Sequence, residues 1–256
     1  MEKNINKNKP KKKAEVVNDK VIANEVKKHN KDNILLSIQN ASYQYSDATS
    51  DEYAIKNISY DFEKGKIYAI RGRSGSGKTT LLSLISGLER CTEGKILFDG
   101  KDLKDINLDT YRNSQIGIVF QSYNLLPYMT ASENIILSMD ASGQKIENKK
   151  QKSIELMESV GLKASYADRK ILRLSGGEQQ RIAIARSLSY NPKMIVADEP
   201  TGNLDKQTES EILDIFKKLA HEEGKCVIIV THSPNVCEIV DEIYDLKKVK
   251  WLIIFL

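Results

Sequence analysis

Short apolar runs, each followed by a polar loop, dominate the hydrophobic pattern of this chain. Four of them have the length of buried strands: Ile67–Ile70, Ile116–Phe120, Met194–Ala197 and Cys226–Val230. Other segments carry apolar residues at helical spacing, namely Thr79–Ile85, Asn148–Val160 and Glu178–Ser189. Such alternation of strands and helices predicts a mixed α/β domain.

The most specific motif lies between the first of these strands and its helix. Residues 72–79 read Gly-Arg-Ser-Gly-Ser-Gly-Lys-Thr, which has the spacing of a phosphate-binding loop. Glycine permits backbone conformations that point successive N–H groups inward, and the helix adds its positive end. Lys78 would contact the outer phosphates, and Thr79 would place its hydroxyl on Mg²⁺. The predicted nucleotide contacts here are Arg73, Ser74, Gly75, Ser76, Gly77, Lys78, Thr79 and Thr80.

Two carboxylates follow the third buried strand. Asp198 is predicted to hold Mg²⁺ through water, and Glu199 to polarise the attacking water, since phosphoryl transfer depends on positioning and charge stabilisation. The alternative is that both acids cap a following helix, which Pro200 disfavours because it comes directly after them. We expect Asp205 to cap the next helix instead, with Glu209 at capping-box spacing or one residue past it.

A second glycine-rich turn, Leu174-Ser-Gly-Gly-Glu-Gln-Gln-Arg181, leads into a helix without a lysine of its own. The chain therefore combines a complete triphosphate site with a separate half-site. From about Ile34 to Leu246 it resembles the nucleotide-binding subunits of ATP-binding-cassette (ABC) transporters. This resemblance implies an α/β P-loop NTPase fold with a RecA-like core, an antiparallel β subdomain and an inserted helical signature subdomain at about residues 122–190.

The resemblance also assigns roles to residues. Gln121 matches the glutamine that senses Mg²⁺ and touches the membrane subunit, and His232 matches the switch histidine that contacts the γ-phosphate. Tyr45 falls where the family stacks an aromatic ring on adenine, although Tyr43 lies two positions away on the same face of a strand. In the family the signature turn contacts ATP held by the opposite subunit; its residues here are Ser175, Gly176, Gly177 and Glu178.

The implied site is therefore as follows. The catalytic residues are Lys78, Gln121, Glu199 and His232; the Mg²⁺ ligands are Thr79, Gln121 and Asp198; Asp205 is a further nucleotide contact.

A narrower resemblance concerns residues 198–205, Asp-Glu-Pro-Thr-Gly-Asn-Leu-Asp, and the stretch 116–134. Both are similar to the branch with macrolide exporters, lipoprotein-release ATPases and bacitracin-resistance ATPases. This branch implies ATP and Mg²⁺ as cofactors, an ATP-sandwich homodimer, a separate membrane permease, and a position on the cytoplasmic face of the cell membrane. A mechanotransmitting or signalling ATPase would have the same residues. A soluble ABC ATPase acting on nucleic acid is the remoter alternative, because such relatives usually carry two cassettes or extra modules, so no nucleic-acid partner is expected.

Composition adds limits to this interpretation. The chain has 256 residues, which suits one large α/β domain of residues 34–256. Its apolar runs reach only four to six residues, whereas a membrane-spanning helix needs about 20. No signal peptide is expected at its start. The three cysteines, Cys91, Cys226 and Cys237, have no metal-binding spacing and are predicted to be reduced and mostly buried.

The two ends of the chain differ from its body. Residues 1–33 hold ten lysines and five acidic residues, a net charge of +5, whereas the whole chain carries +4. We expect this extension to be disordered, and it either contacts anionic lipid or is a solvated segment without a task. At the other end Val249 stands where relatives place a glycine, and the apolar stretch Trp251–Leu256 is a buried strand, an interface or the end of a truncated frame.

Overall fold

The computed structural model describes residues 33–46 and 53–247. Those residues form the strands β1 (Ile34–Gln44), β2 (Tyr53–Glu63), β3 (Ile67–Arg71), β4 (Glu93–Phe98), β5 (Lys101–Asp102), β6 (Ile116–Val119), β7 (Met194–Asp198), β8 (Cys226–Thr231) and β9 (Glu242–Asp245). The helices are α1 (Lys78–Ile85), α2 (Leu108–Ser114), α3 (Ala131–Ser142), α4 (Lys149–Ser159), α5 (Gly176–Ser187), α6 (Lys206–His221) and α7 (Pro234–Ile239). Two 3₁₀ turns, Ala164–Tyr166 and Ile171–Arg173, lie between α4 and α5.

The strands form two sheets. One has the order β2-β1-β4-β5, and the pairs β1–β4 and β4–β5 are antiparallel. The other has the order β6-β7-β8-β3-β9 and is parallel. Within it Arg71 lies opposite Thr231, and Asp198 lies opposite Val230. The carboxyl ends of β3, β7 and β8 therefore meet at one edge of the parallel sheet, where open α/β sheets bind their ligands.

The strands β3, β7 and β8 are apolar up to their last residue because both faces of their sheet are covered. In β3, Ile67 and Ala69 join a core with α3 to α6, whereas Tyr68 and Ile70 join a second core with α1 and the antiparallel sheet. Successive side chains of a strand point to opposite faces, so an uninterrupted apolar run supplies both cores. This explains why the runs in the sequence show no alternation.

The stretch between β6 and β7 is helical, as expected. Thr130 begins α3 and Ser175 begins α5, each with a capping box in which a glutamate three residues on bonds back to the cap N–H. Asn148 caps α4 through its side chain. The apolar residues of α3, α4 and α5 belong to the same core as one face of the parallel sheet. The boundary of a separate subdomain at 122–190 stays a prediction.

The predicted elements match the observed ones to within one or two residues. The helix expected at Glu178–Ser189 is shifted to Gly176–Ser187, because Ser175 caps it and both glycines enter its first turn. All three cysteines are free; Cys91 and Cys226 are buried. Among the described residues no helix is long and apolar enough to cross a membrane. The predictions for residues 1–32, for Val249 and for Trp251–Leu256 concern residues outside the described part of the chain.

Candidate nucleotide-binding and catalytic site

The phosphate loop joins β3 to α1 and is folded tightly. Gly77 has a φ of +92°, and a Cβ there would lie 2.5 Å from the carbonyl oxygen of Ala54, so only glycine fits. Lys78 is the first residue of α1. Its Nζ donates to the carbonyl oxygens of Gly72 at 2.9 Å and Arg73 at 3.4 Å. The ammonium group is therefore held over the loop that the sequence predicted to bind phosphate.

The loop fits a phosphate ligand. The hydroxyl oxygen of Ser76 is buried and has no hydrogen-bond partner among the described residues, and a buried polar group of this kind calls for a partner. The first N–H groups of α1 have no carbonyl partner within the helix and form its positive end. Arg73, Ser74, Gly75 and Thr79 are exposed at this loop. These groups are the donors that a polyphosphate needs.

Asp198, at the end of β7, is a partly buried carboxylate, and burial disfavours its charged form. Burial raises its pKa, the neighbouring Glu199 adds to the rise, and Lys78 opposes it. A divalent cation would favour the ionised form. The oxygen ligands that Asp198 and Thr79 offer are those that Mg²⁺ prefers beside nucleotide phosphates, so these residues fit the predicted ion.

Glu199 is the most constrained residue of the site. Its φ is +44°, in the left-handed region that residues other than glycine rarely adopt. Its carboxylate accepts from the Thr231 hydroxyl at 3.1 Å and from the His232 N–H at 3.3 Å. Nδ1 of His232 lies 2.7 Å from its other oxygen. The two side chains predicted to be catalytic are therefore in direct contact.

Tyr45 lies beside the phosphate loop. Its hydroxyl is 3.0 Å from that of Thr80 on α1, and 47% of its surface is exposed. Tyr43 is buried in the core and meets the Tyr45 ring edge-on, with centroids 5.0 Å apart. An adenine ring can reach only an exposed face, so the geometry favours Tyr45 over Tyr43 as the stacking residue, which stays a prediction.

The signature turn is the N-terminus of α5. Ser175 accepts from the N–H of Glu178, whose carboxylate accepts from the N–H of Ser175 at 2.7 Å. A Cβ on Gly177 would lie 2.5 Å from Cγ2 of Thr208, the third residue of α6. Among the described residues no hydrogen bond joins this turn to residues 72–80. Its role in binding ATP stays a prediction, and the Glu178 carboxylate is already occupied by the cap.

Gln121 and Asp205 contact other parts of the chain near the site. A Cβ on Gly202 would lie 3.0 Å from Nε2 of Gln121, so this side chain faces the loop after Glu199. Asp205 caps α6, accepting from the N–H groups of Gln207 and Thr208 and from the Thr208 hydroxyl. These bonds, led by the one from that hydroxyl, lower the pKa of Asp205. Contacts of both residues with nucleotide stay predictions.

Several residues at the site were not recognised in the sequence. Thr231, which binds Glu199, directly precedes His232 at the end of a buried strand, a position that could have marked it. Gln180 of α5 donates to the carbonyl oxygen of Pro200 at 2.7 Å and ties the signature helix to the loop after Glu199. Arg186 of α5 donates to the carbonyl oxygens of Tyr123 and Asn124, which follow Gln121. No local sequence signal indicates these last contacts.

Comparison with known proteins assigns the family of this chain. Residues 55–202 match the family described as ABC transporter. The chain belongs to the ABC transporter family. It is similar to YclH of Bacillus subtilis, an uncharacterised ABC transporter ATP-binding protein, with 47% identity over 207 residues that cover 81% of this chain and 91% of YclH.

Two further relatives refine this assignment. The lipoprotein-releasing system ATP-binding protein LolD of Legionella pneumophila is 40% identical over 218 residues, 84% of this chain and 96% of LolD. The dimeric structure of the ABC transporter cassette MJ0796, from Methanocaldococcus jannaschii, has a TM-score of 0.75 and 38% identity, covering 83% of this chain and 94% of that one. MJ0796 has also been solved in a post-hydrolysis state with ADP and Pi.

The family resemblance found in the sequence is thus confirmed, including the branch that contains the lipoprotein-release ATPases. The predicted ABC ATPase fold is confirmed as well. The chain is an ABC transporter ATP-binding subunit and an ATPase. The roles of individual residues remain predictions.

Proposed function

We propose that this subunit binds Mg²⁺·ATP at the edge formed by β3, β7 and β8, and that closure of a homodimer around ATP drives a separate membrane permease. One observation carries the proposal. The Glu199 carboxylate is held by Thr231 and His232 at the sheet edge that also carries the phosphate loop. A carboxylate fixed beside a phosphate-binding loop is positioned to orient water for attack.

Each residue has a definite task in this proposal. Lys78 neutralises phosphate charge, and Thr79 and Asp198 hold Mg²⁺ with Gln121 as a further contact. Glu199 orients the attacking water and accepts hydrogen bonds from its surroundings. His232 leaves its contact with Glu199 to meet the γ-phosphate, which its mostly exposed ring permits.

The second half of each site comes from another copy of the chain. Gly176 and Gly177 are the first two residues of α5, where N–H groups have no carbonyl partner within the helix, which suits an anion. The dimer of the similar cassette MJ0796 supports this arrangement. In the closed dimer the signature turn of one protomer faces ATP on the phosphate loop of its partner.

The permease contact is proposed on the loop that follows Gln121. Tyr128 is 81% exposed and Leu172 is 68% exposed. Their segments are joined, because the N–H of Ile171 donates to the carbonyl oxygen of Met129 at 3.2 Å. Exposed aromatic and aliphatic side chains of this kind serve as interface anchors. Met129 itself is partly covered, so Leu126 and Leu172 join Tyr128 as the proposed docking surface.

Through that permease the subunit would lie on the cytoplasmic face of the cell membrane. The similarity to LolD, which belongs to a lipoprotein-releasing system, supports lipoprotein-like substrates. Export of, or resistance to, drugs or antimicrobial peptides rests on the narrower resemblance found in the sequence. A mechanotransmitting or signalling complex is the second candidate, with the same ATPase cycle. The basic residues 1–33 are proposed to add a contact with anionic lipid.

Replacement of the proposed base tests the chemistry. Glu199→Gln keeps the size and position of the side chain but weakens its attraction for a water proton, so we expect ATP binding without turnover and an ATP-dependent dimer. Lys78→Ala should lose productive ATP binding. Hydrolysis assays and size-exclusion chromatography with and without ATP measure these effects, and Glu158→Gln, an exposed change on α4, is the matched control.

Two results would count against the proposal. Hydrolysis by Glu199→Gln at the rate of the unmutated protein would remove Glu199 as the base. A monomeric Glu199→Gln protein at saturating ATP would reject the shared site.

A further inference from the structure

Glu209, in the first turns of α6, collects three side-chain hydrogen bonds from different segments. One carboxylate oxygen accepts from the hydroxyls of Thr201 and Ser233, each at 3.1 Å. The other accepts from Nδ2 of Asn235 at 2.8 Å. Glu209 lies one residue past the capping-box position, the second of the two expected spacings, because Asp205 caps the helix and Thr208 is its third residue.

These bonds connect Glu209 to Glu199 by a continuous path. The Ser233 hydroxyl donates to Glu209, and the Ser233 N–H donates to the Thr231 hydroxyl oxygen at 2.9 Å. The Thr231 hydroxyl in turn donates to the Glu199 carboxylate at 3.1 Å. Every donor in this path has one acceptor of suitable geometry.

A second path acts on the backbone. Thr201 is two residues after Glu199 and only 5% exposed, and its hydroxyl is bonded to Glu209. The N–H of Gly202 donates to the carbonyl oxygen of Glu199 at 3.2 Å, closing the turn. Glu209 therefore fixes the end of this turn.

Glu199 needs such support because its backbone is strained. A φ of +44° in a residue other than glycine persists only where the surroundings hold it. Misplacement of a reacting group by about 1 Å can slow a reaction on the order of 100-fold. Glu209 supplies this support, because its carboxylate accepts hydrogen bonds from the loop after β7 and from the loop after β8.

We propose that Glu209 is a positioning residue for ATP hydrolysis, which holds the loop after β7 and the loop after β8 so that Glu199 faces the attacking water. The proposal rests on the role given to Glu199 above. Glu209 acts through hydrogen bonds that its side chain accepts. In Glu209→Gln the amide oxygen should therefore take the place of the carboxylate oxygen that accepts from Thr201 and Ser233.

Steady-state kinetics of purified full-length protein test this proposal. Glu209→Ala should lower kcat on the order of tenfold, or about 1.4 kcal/mol in the barrier, with the KM for ATP changed less than about twofold. Glu209→Gln should recover most of kcat. Asp214→Ala, which removes an exposed carboxylate of the same helix bonded only to Lys217 at 3.5 Å among the described residues, is the control and should have no effect.

A double-mutant comparison checks the path. If Glu209 acts through its two hydroxyl donors, Glu209→Ala should add less than about a threefold loss of kcat to a Thr201→Val, Ser233→Ala background. Where Glu209→Ala does not yield folded protein, Ser233→Ala alone decides, with an expected fall in kcat at constant KM.

The outcomes separate this proposal from the one on which it rests. If Glu199→Gln is inactive but kcat for Glu209→Ala, or for Ser233→Ala in its place, equals that of the unmutated protein, the positioning role is rejected and the catalytic assignment stands. An equal loss of kcat in Glu209→Gln and Glu209→Ala also rejects it, because charge would then be the cause. An active Glu199→Gln removes the base itself.

Discussion

At the scale of single residues, close packing explains one glycine of the signature turn. Gly177 is the second residue of α5, a position where glycine has no advantage for the helix, and its φ is not left-handed. The reason for glycine is Thr208, whose Cγ2 occupies the space of a Cβ and whose hydroxyl is fixed by Asp205 at 2.6 Å. The cap of α6 thus holds a methyl group against the turn proposed to meet ATP.

Gly177→Ala tests this packing. In an open helix this change favours folding by up to about 1 kcal/mol, but here the clash should lower the free energy of unfolding by about 1–3 kcal/mol. Thr208→Ser removes the methyl group and keeps the hydroxyl, so the double variant should recover at least half of the loss. Denaturant titration measures all three proteins. Equal destabilisation by Gly177→Ala in both backgrounds would refute the steric explanation.

At the scale of elements, α3 supports the loop that leads to the proposed docking surface. Asn134 is buried in this helix; its Oδ1 accepts from the N–H of Leu126 at 2.8 Å, and its Nδ2 donates to the carbonyl oxygens of Leu126 and Thr130. The Asn134 side chain thus bonds both the N–H and the carbonyl oxygen of Leu126, as a neighbouring strand would. The conformation of a segment without regular structure is fixed by a helix packed behind it.

Asn134→Ala should therefore loosen this loop. It leaves the N–H of Leu126 without its partner, although the carbonyl oxygen still accepts from the N–H of Met129. An unpaired N–H of this kind costs about 1–3 kcal/mol in the free energy of unfolding. Hydrogen exchange should speed up at residues 125–130 before it does in the sheet. Leu137→Ala, an exposed change on the same helix, is the control and should have little effect. Unchanged exchange at residues 125–130 in Asn134→Ala would show that the loop is held by other contacts.

At the scale of the whole molecule, the parallel sheet separates two cores and carries the site at one edge. The antiparallel sheet and α1 share one core with it, and the helices between β6 and β7 share the other. The loop after β6 runs from the site edge to those helices, and Arg186 joins it to the signature helix. A partner seated on this loop would contact both the site and the helical stretch.

Removal of the docking surface should uncouple the subunit from its permease. Tyr128→Ser combined with Leu172→Ser should leave ATP hydrolysis by the isolated subunit unchanged, since both side chains are exposed and away from the Glu199 contacts. Co-purification with a tagged permease should fall severalfold. Ile243→Ser, a change at another exposed apolar position on β9, is the control. Full recovery of the complex with the double variant would place the contact elsewhere.

The sequence was most informative where function depends on neighbours in the chain. The phosphate loop, the buried strands and the capping of α6 by Asp205 all follow from residues a few positions apart. Glu209 shows the opposite case: its place at or just past capping-box spacing from Asp205 gave no sign of its partners Ser233 and Asn235, which lie more than 20 residues away. Local propensity cannot indicate bonds that exist only after the strands are ordered in the sheet.

By itself, the sequence determined the family and the class of fold and predicted the phosphate-binding and acidic residues, because short, contiguous patterns carry this information. Only the tertiary structure decided that Tyr45 rather than Tyr43 is exposed, that Glu199 contacts His232 and Thr231, and that Gly177 packs against Thr208. The contacts of Glu199 and Gly177 join segments far apart in the chain, and the exposure of Tyr45 depends on how such segments pack. They depend on strand order and helix packing, which burial of the two cores fixes for the domain as a whole.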